Sequence, residues 1–385
     1  MDLRDTPEEA SFRAELRSWL EANLPEERRG WRGGEQRFGD EFGREWSRKL
    51  YDAGYAGLTW PQEYGGAGAP YSHQAIFLEE SARAQAPAHV GVIGLGMAGP
   101  TIIAWGTDEQ KERYLSKILS AEEIWCQGFS EPDAGSDLAA ARTKIEDQSD
   151  HFLVNGQKVW SSFAHIADFC ILVGLGLPDA PKYKNLTYVI VDMRAQGVEV
   201  RPLVQITGHP EFNEIFFTDV QVPKENLLGE IGGGWQVAMT TLLHERGTLG
   251  FALTAVLEVS VRKLLVLAEG VEDADLRQRI AREWIELQAL RFTNYRSLTT
   301  LMKTGIPGPE GSASKLVWSE NNQRLTKLAL EILGTHAQLT DGGGYASGYW
   351  QYQQLRSRGN TIEAGTSEIL RNIISERVLG MARSR

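Results

Sequence analysis

In the first third of the chain, Phe12, Leu16, Trp19 and Leu20 fall on one face of a 3.6-residue repeat. Ahead of them, Thr6-Pro7-Glu8-Glu9 predicts a helix start. Thr6 is the N-cap, Pro7 takes the first helical position, and Glu9 stands three residues after the cap. Gly30–Gly39 reads as a turn-rich break. Helical patterns resume through Phe42–Leu50 and Ser72–Arg83. A third begins at Asp108, the predicted cap, and carries Tyr114, Leu115, Ile118 and Leu119.

The period changes near residue 123. Short β-rich runs follow at Phe152–Val154, Phe169–Val173, Thr187–Asp192, Val198–Pro202 and Glu214–Val222. Turn signals separate them, Asn155-Gly156 and Thr207-Gly208-His209-Pro210 among them, and predict antiparallel pairing. From Trp235 the helical period returns, over Val237–Glu269, Ala274–Thr304, Ser312–Leu333 and Glu368–Leu379. Loops are expected at Gly305–Gly311 and Asp341–Gly348, and no internal repeat is visible. The reading is an α+β chain with a helical N-terminal domain (1–122), a middle antiparallel β domain (123–231) and a helical C-terminal domain (232–385).

A length of 385 residues accommodates two or three structural units and a large core. Hydrophobic content of 42% with 24% charged residues is ordinary for a soluble globular protein. The net charge of −11 argues against nucleic-acid binding, which needs a basic face. Cys126 and Cys170 are the only cysteines, so no disulfide framework is implied and a reducing cytoplasm fits. The N-terminus lacks signal-peptide features, and no apolar run approaches the ~20 residues that span a bilayer. The sequence is read as cytoplasmic and not membrane-bound. Its seven histidines do not cluster at metal-ligand spacing, so no metal is expected.

Five segments carry the chemical reading. They are Ser130-Glu131-Pro132-Asp133-Ala134-Gly135-Ser136-Asp137, Asn155-Gly156-Gln157-Lys158-Val159-Trp160-Ser161-Ser162 and Gly365-Thr366-Ser367-Glu368-Ile369-Leu370-Arg371, with Trp60–Gly66 and Gly106–Gln110 nearer the start. In this order they resemble the motifs of the flavin-dependent acyl-CoA dehydrogenases, and the likeness covers nearly the whole chain. The resemblance implies that family's fold, including a C-terminal four-helix bundle, and FAD as cofactor between the β domain and the C-terminal helices. By family position, Phe129, Ser130, Gly135, Ser136, Trp160 and Ser162 would touch the flavin, with Thr366 and Glu368 near its adenosine end. Hydroxyls and loop N–H groups suit flavin oxygens and nitrogens, and an indole offers a flat surface. Any one of these residues alone is more often a loop cap or core packing.

Gly94-Leu95-Gly96-Met97-Ala98-Gly99 matches the dinucleotide-binding pattern, which requires a preceding strand and a later acidic residue at a strand end. Pro100 follows it, and the region near residue 114 is helical in pattern, so these glycines are read as permitting close helix packing. The triple-glycine runs at 232–234 and 342–344 are read as loop hinges.

Dehydrogenation between the α and β carbons of a thioester needs a base for the α proton, a hydride acceptor, and hydrogen bonds to the carbonyl. In many family members the base immediately precedes the C-terminal Gly-Thr, where this chain has Ala364. In the isovaleryl and long-chain branches, a glutamate before an arginine near the start of the first C-terminal helix serves instead. Glu245-Arg246 fits that pattern, so Glu245 is the expected base and Arg246 its neighbouring charge. Glu363 is the weaker alternative.

The resemblance also implies an acyl-CoA substrate and an electron-transfer flavoprotein or similar acceptor, with a carrier-protein thioester as an alternative substrate. An Arg-x-x-Phe-Gly motif, through which many homotetrameric members reach a neighbouring flavin, is absent from Val261–Gly270. Either Arg262 or Arg291 compensates, or a paralogous partner supplies the arginine in a mixed tetramer. A homo-oligomer and a non-catalytic partner subunit are the competing readings.

Overall fold

The computed structural model describes residues 4–25, 41–247, 249–305, 308–309, 311–340 and 344–382, without the side chains of 245–249. The predicted break at Gly30–Gly39 and the Asp341–Gly343 part of the last loop lie outside the described residues. In chain order the helices before the sheet are α1 (Pro7–Asn23), α2 (Glu41–Asp52), α3 (Tyr71–Arg83), α4 (Gly99–Trp105) and α5 (Asp108–Leu119). The strands are β1 (Trp125–Gly128), β2 (Lys144–Asp147), β3 (His151–Ser162), β4 (Phe169–Leu175), β5 (Leu186–Asp192), β6 (Val198–Leu203) and β7 (Phe212–Pro223). Helices α6 (Gly234–Gly247), α7 (Leu249–Leu267), α8 (Ala274–Thr304), α9 (Gly311–Leu333), α10 (Tyr349–Ser357) and α11 (Ser367–Ile373) complete it.

The chain forms two compact units. One joins Arg37–Gly68 to Ala88–Glu245, and the other joins Met1–Gln36, Ala69–Pro87 and Arg246–Arg385.

The first unit holds the sheet, in the order β1-β4-β2-β3-β7-β6 with β5 beside β4. Pairing is mainly antiparallel, as its turns predict, but β1 runs parallel to β4. Strands β4 and β5 are buried along nearly their whole length, so they read as continuous apolar runs rather than alternating ones. The Thr207–Pro210 signal forms the β6–β7 connection, with Gly208 in the left-handed region at φ +84°. Asn155-Gly156 behaves otherwise. It lies inside β3 at a bulge against β7, where Asn155 exchanges hydrogen bonds with Asp219 (2.8 and 3.0 Å). A Cβ on Gly156 would sit 2.7 Å from Thr143 Cα, so close backbone approach explains this glycine better than a hairpin does.

Close packing also explains the Gly94–Gly99 run. Gly94–Ala98 is a π-helical turn that leads into α4, and a Cβ on Gly99 would meet the Trp60 ring at 2.0 Å. Trp60 donates its indole N–H to Leu95 O (3.2 Å) and belongs to a core with Ile102, Leu119, Trp125, Ile171 and Tyr188. Helix α5 is capped by Thr107, one residue before the predicted Asp108. Thr107 and Gln110 form a capping box that leaves Asp108 in the first turn.

The second unit is helical, and α7, α8, α9 and α10 share a core of Leu257, Val261, Leu287, Leu325, Leu328 and Trp350. Helix α8 buries Ile280, Leu287, Leu290, Leu298 and Leu301, the stripe expected of one helix face. Helix α1 begins as predicted: Thr6 Oγ1 accepts from Glu9 N (3.2 Å), and Glu9 accepts from Thr6 N (2.9 Å). It is tied to α3 and α8 through buried carboxylates. Arg13 binds Glu79 (3.0 Å) and Glu80 (2.6 Å), Arg83 binds Glu80 (2.7 Å), and Tyr295 donates to Glu79 (2.9 Å). The pattern over Val237–Glu269 is helical on both sides of residue 248, in α6 and α7.

Candidate active site

The two flavin-type motifs meet on the sheet. Val159 N donates to Ser130 O (2.9 Å), so the first motif begins beside the strand that carries the second. Between Lys158 and Ser161 the β3–β7 register shifts, and Trp160 takes a left-handed φ of +63°. This conformation is costly for an aromatic residue and is kept where the surroundings impose it. Its effect is to leave the indole 60% exposed, with Phe212 edge-on at 6.1 Å. Phe163, three residues on, is also left-handed at φ +60°.

The segment is held from behind. Asn213 is fully buried and donates to Ser161 O (3.1 Å), and its amide nitrogen lies 3.2 Å from His165 Nδ1. Burial draws His165 below the ordinary histidine range against the opposing effect of Asn213. Ser161 Oγ is buried and has no protein partner. Ser162 and Ser130 are half-buried.

Gly135 and Ser136 stand exposed at the outer part of the first motif, and a Cβ on Gly135 would meet nothing within 4 Å. Phe129 is buried edge-on against Tyr188 at 5.8 Å, so its side chain serves the core of this unit. A flat exposed indole, two half-buried hydroxyls and an open glycine loop on one sheet fit a planar heteroaromatic ring.

Sequence reading missed the ionic connection between these motifs. Lys158 is fully buried and donates to Phe129 O (2.9 Å) and to Glu131 Oε1 (2.7 Å). Glu131 also accepts from Arg142 N (2.7 Å) and Thr143 N (2.8 Å). Burial pushes the Glu131 carboxyl upward, but Lys158 and the two backbone donors hold it below the ordinary range. For Lys158 burial dominates and lowers it, with Glu131 opposing. Two opposite charges inside the quoted motifs were the available signal.

Helix α6 is anchored in the same unit. Thr241 Oγ1 lies 2.9 Å from Thr101 Oγ1 and 3.1 Å from the Tyr188 hydroxyl, and Trp105 donates to Thr240 (2.9 Å). Residues 245 and 246 follow one turn later on α6. The side chains of Glu245 and Arg246 lie outside the described residues.

The Gly-Thr segment belongs to the helical unit. Thr366 caps α11 by accepting from Ile369 N (3.2 Å), and Glu368 is exposed in the first turn. The helix-start backbone and Thr366 keep Glu368 below the ordinary carboxylate range. Ala364 and Gly365 are both left-handed, at φ +51° and +95°. Beneath them the buried Lys315 donates to Asn360 O (2.8 Å) and Gly365 O (2.7 Å). Glu363 is engaged, by Arg356 at 2.8 Å and Asn360 Nδ2 at 2.7 Å. Arg262 binds Glu258 at 2.8 Å, and Arg291 lies over the Tyr295 ring at 5.7 Å. Among the described residues there is no group of His, Cys, Asp or Glu that could hold a metal ion, and no helix long and apolar enough to cross a membrane.

Family models for the acyl-CoA dehydrogenase N-terminal, middle and C-terminal domains match residues 6–122, 126–220 and 232–379. The chain belongs to the acyl-CoA dehydrogenase family. It is 40% identical over 382 residues to acyl-CoA dehydrogenase IpdE1 of Mycobacterium tuberculosis, covering 97% of each chain. Among solved structures it resembles the Tcur3481-Tcur3483 steroid ACAD (TM-score 0.89, 32% identity, 100% of each chain). It also resembles the ChsE4-ChsE5 complex of Mycobacterium tuberculosis (TM-score 0.87, 30% identity, 100% of each chain). The chain is therefore an oxidoreductase acting on CH–CH bonds, with the family's FAD-dependent dehydrogenation of an acyl-CoA thioester as its activity.

Proposed function

We propose that this chain is a base-bearing subunit of an acyl-CoA dehydrogenase that removes the α proton of its thioester with Glu245. The observation that carries the reading is the exposed, left-handed Trp160 beside Ser130, at the junction of the two flavin-type motifs. Ser130, Gly135, Ser136, Trp160 and Ser162 would hold the flavin, Phe129 would back it from the core, and Thr366 and Glu368 would serve its adenosine end. Bound FAD supplies a hydride acceptor for the β carbon. The protein orients the acyl group, excludes water and takes the proton. The backbone N–H of residue 364 suits the thioester carbonyl, a role that needs no side chain.

Glu245 is supported by its place before Arg246 and by elimination. Position 364 has no carboxylate, and Glu363 is occupied by Arg356 and Asn360. Arg246 would hold local charge rather than take the proton. The likeness to a steroid ACAD supports a bulky acyl group, and the likeness to two-component complexes supports a mixed α2β2 tetramer. A cytoplasmic location, electron transfer to an electron-transfer flavoprotein, and domains at 1–122, 123–231 and 232–385 complete the proposal. The test is a panel of straight-chain, branched and steroid-bearing acyl-CoA thioesters with an artificial electron acceptor. The protein is assayed alone and with candidate partner subunits. Turnover of the bulky thioesters is expected. Failure of every thioester in every combination would overturn the reading.

A further inference from the structure

Residues 132–141 leave the sheet as a loop and return to it at β2, and the loop displays Gly135 and Ser136. Its two ends are joined at one carboxylate. Glu131 stands at the exit, and its oxygens accept from Arg142 N and Thr143 N at the return (2.7 and 2.8 Å). The same carboxylate receives Lys158 from β3, two residues before the left-handed Trp160 (2.7 Å). Lys158 spends a second donor on Phe129 O, immediately before the loop (2.9 Å). Three stretches of backbone thus converge on one fully buried lysine and its partner.

Such a pair is a poor way to obtain stability, because desolvating both charges offsets most of their attraction and apolar residues of similar volume often serve as well. Its distinctive property is geometric, since charge-assisted bonds at these distances tolerate little displacement. We propose that Glu131 and Lys158 are positioning residues that fix the Gly135–Ser136 loop relative to Trp160, so that both contact one flavin. The pair touches neither substrate nor the reacting atoms. This inference rests on the flavin site proposed above.

The experiment is FAD titration of apoprotein, followed by flavin fluorescence, beside thermal unfolding of the same apoprotein. It uses the chain in whichever oligomer binds FAD in the wild type. Glu131→Gln and Lys158→Met are compared with Glu80→Gln, which breaks a buried ion pair in the helical unit. Loss of about tenfold or more in FAD affinity is expected for the first two, with an altered visible flavin band. Glu80→Gln should stay within about twofold while losing comparable thermal stability. Wild-type FAD affinity in both Glu131→Gln and Lys158→Met would overturn the proposal. So would affinity that falls in all three variants in proportion to melting temperature, which is the mark of general destabilisation. If Glu131→Gln does not accumulate as folded protein, Glu131→Asp carries the same measurement, because it keeps the charge but withdraws it by one methylene. A wild type that binds no FAD in any oligomer would instead sink the flavin site itself.

Discussion

Glu363 and Glu245 compete for one role, and their surroundings separate them. Glu363 accepts from Arg356 and Asn360, so taking a substrate proton would first require breaking both contacts. Glu245 follows Thr241 by one turn on a helix that Tyr188 and Thr101 fix in place. Replacing Glu245 with Gln keeps the shape and removes the base. Flavin reduction by substrate is expected to slow about 10²–10⁴-fold or more, with FAD binding retained. Glu363→Gln should stay near the wild-type rate. Anaerobic stopped-flow reduction of both variants checks the assignment, and the reverse order of effects would transfer the role to Glu363.

At the scale of elements, two contacts yield opposed forces whose magnitudes decide the outcome. Gly99→Ala improves helix propensity by up to about 1 kcal/mol. The new Cβ, however, would stand 2.0 Å from a Trp60 ring that is packed in the core and hydrogen-bonded to Leu95 O. Overpacking of this kind costs about 1–3 kcal/mol, so a lower melting temperature is expected despite the gain in propensity. Thermal unfolding followed by tryptophan fluorescence reads both effects, and an unchanged or raised melting temperature would contradict the packing argument.

The Glu131–Lys158 pair gives the β3 region a pH dependence. Glu131 is held below its ordinary value of 4.5 in the folded state. Its contribution to stability is therefore fully present above the unfolded pKa and is lost as pH falls through the folded one. Burial shifts Lys158 downward, with Glu131 opposing. Melting temperature should thus fall below about pH 4.5 in the wild type, and Glu131→Gln should flatten that acid limb. Identical limbs in both proteins would show that other carboxylates dominate.

At the scale of the whole molecule, the Arg-x-x-Phe-Gly motif is absent from Val261–Gly270, so in the proposed flavin site the pyrophosphate would lack a cation from a neighbouring copy. Arg262 is engaged by Glu258, and Arg291 lies against Tyr295. Co-expression with a paralogous subunit is expected to give an α2β2 tetramer with fewer than one FAD per chain. Native mass spectrometry with flavin quantification measures both. A stable homotetramer carrying one FAD per chain would refute the mixed form.

Much of this was written in the sequence because its causes are local. The capping box at Thr6–Glu9, the stripe of α8 and the change of period near residue 123 depend on residues a few positions apart. The motif order marks Ser130, Gly135, Trp160 and Ser162 as the proposed flavin contacts. Tertiary structure decided what depends on residues distant in the chain. Asn155-Gly156 is a bulge rather than a turn because Asp219 and Thr143 close on it. Glu131 and Lys158 are 27 positions apart, and no local pattern pairs one carboxylate with one ammonium among many. Nor could periodicity foretell a left-handed Trp160 or an engaged Glu363. Backbone strain and ion pairing are imposed by neighbours that only folding brings within reach.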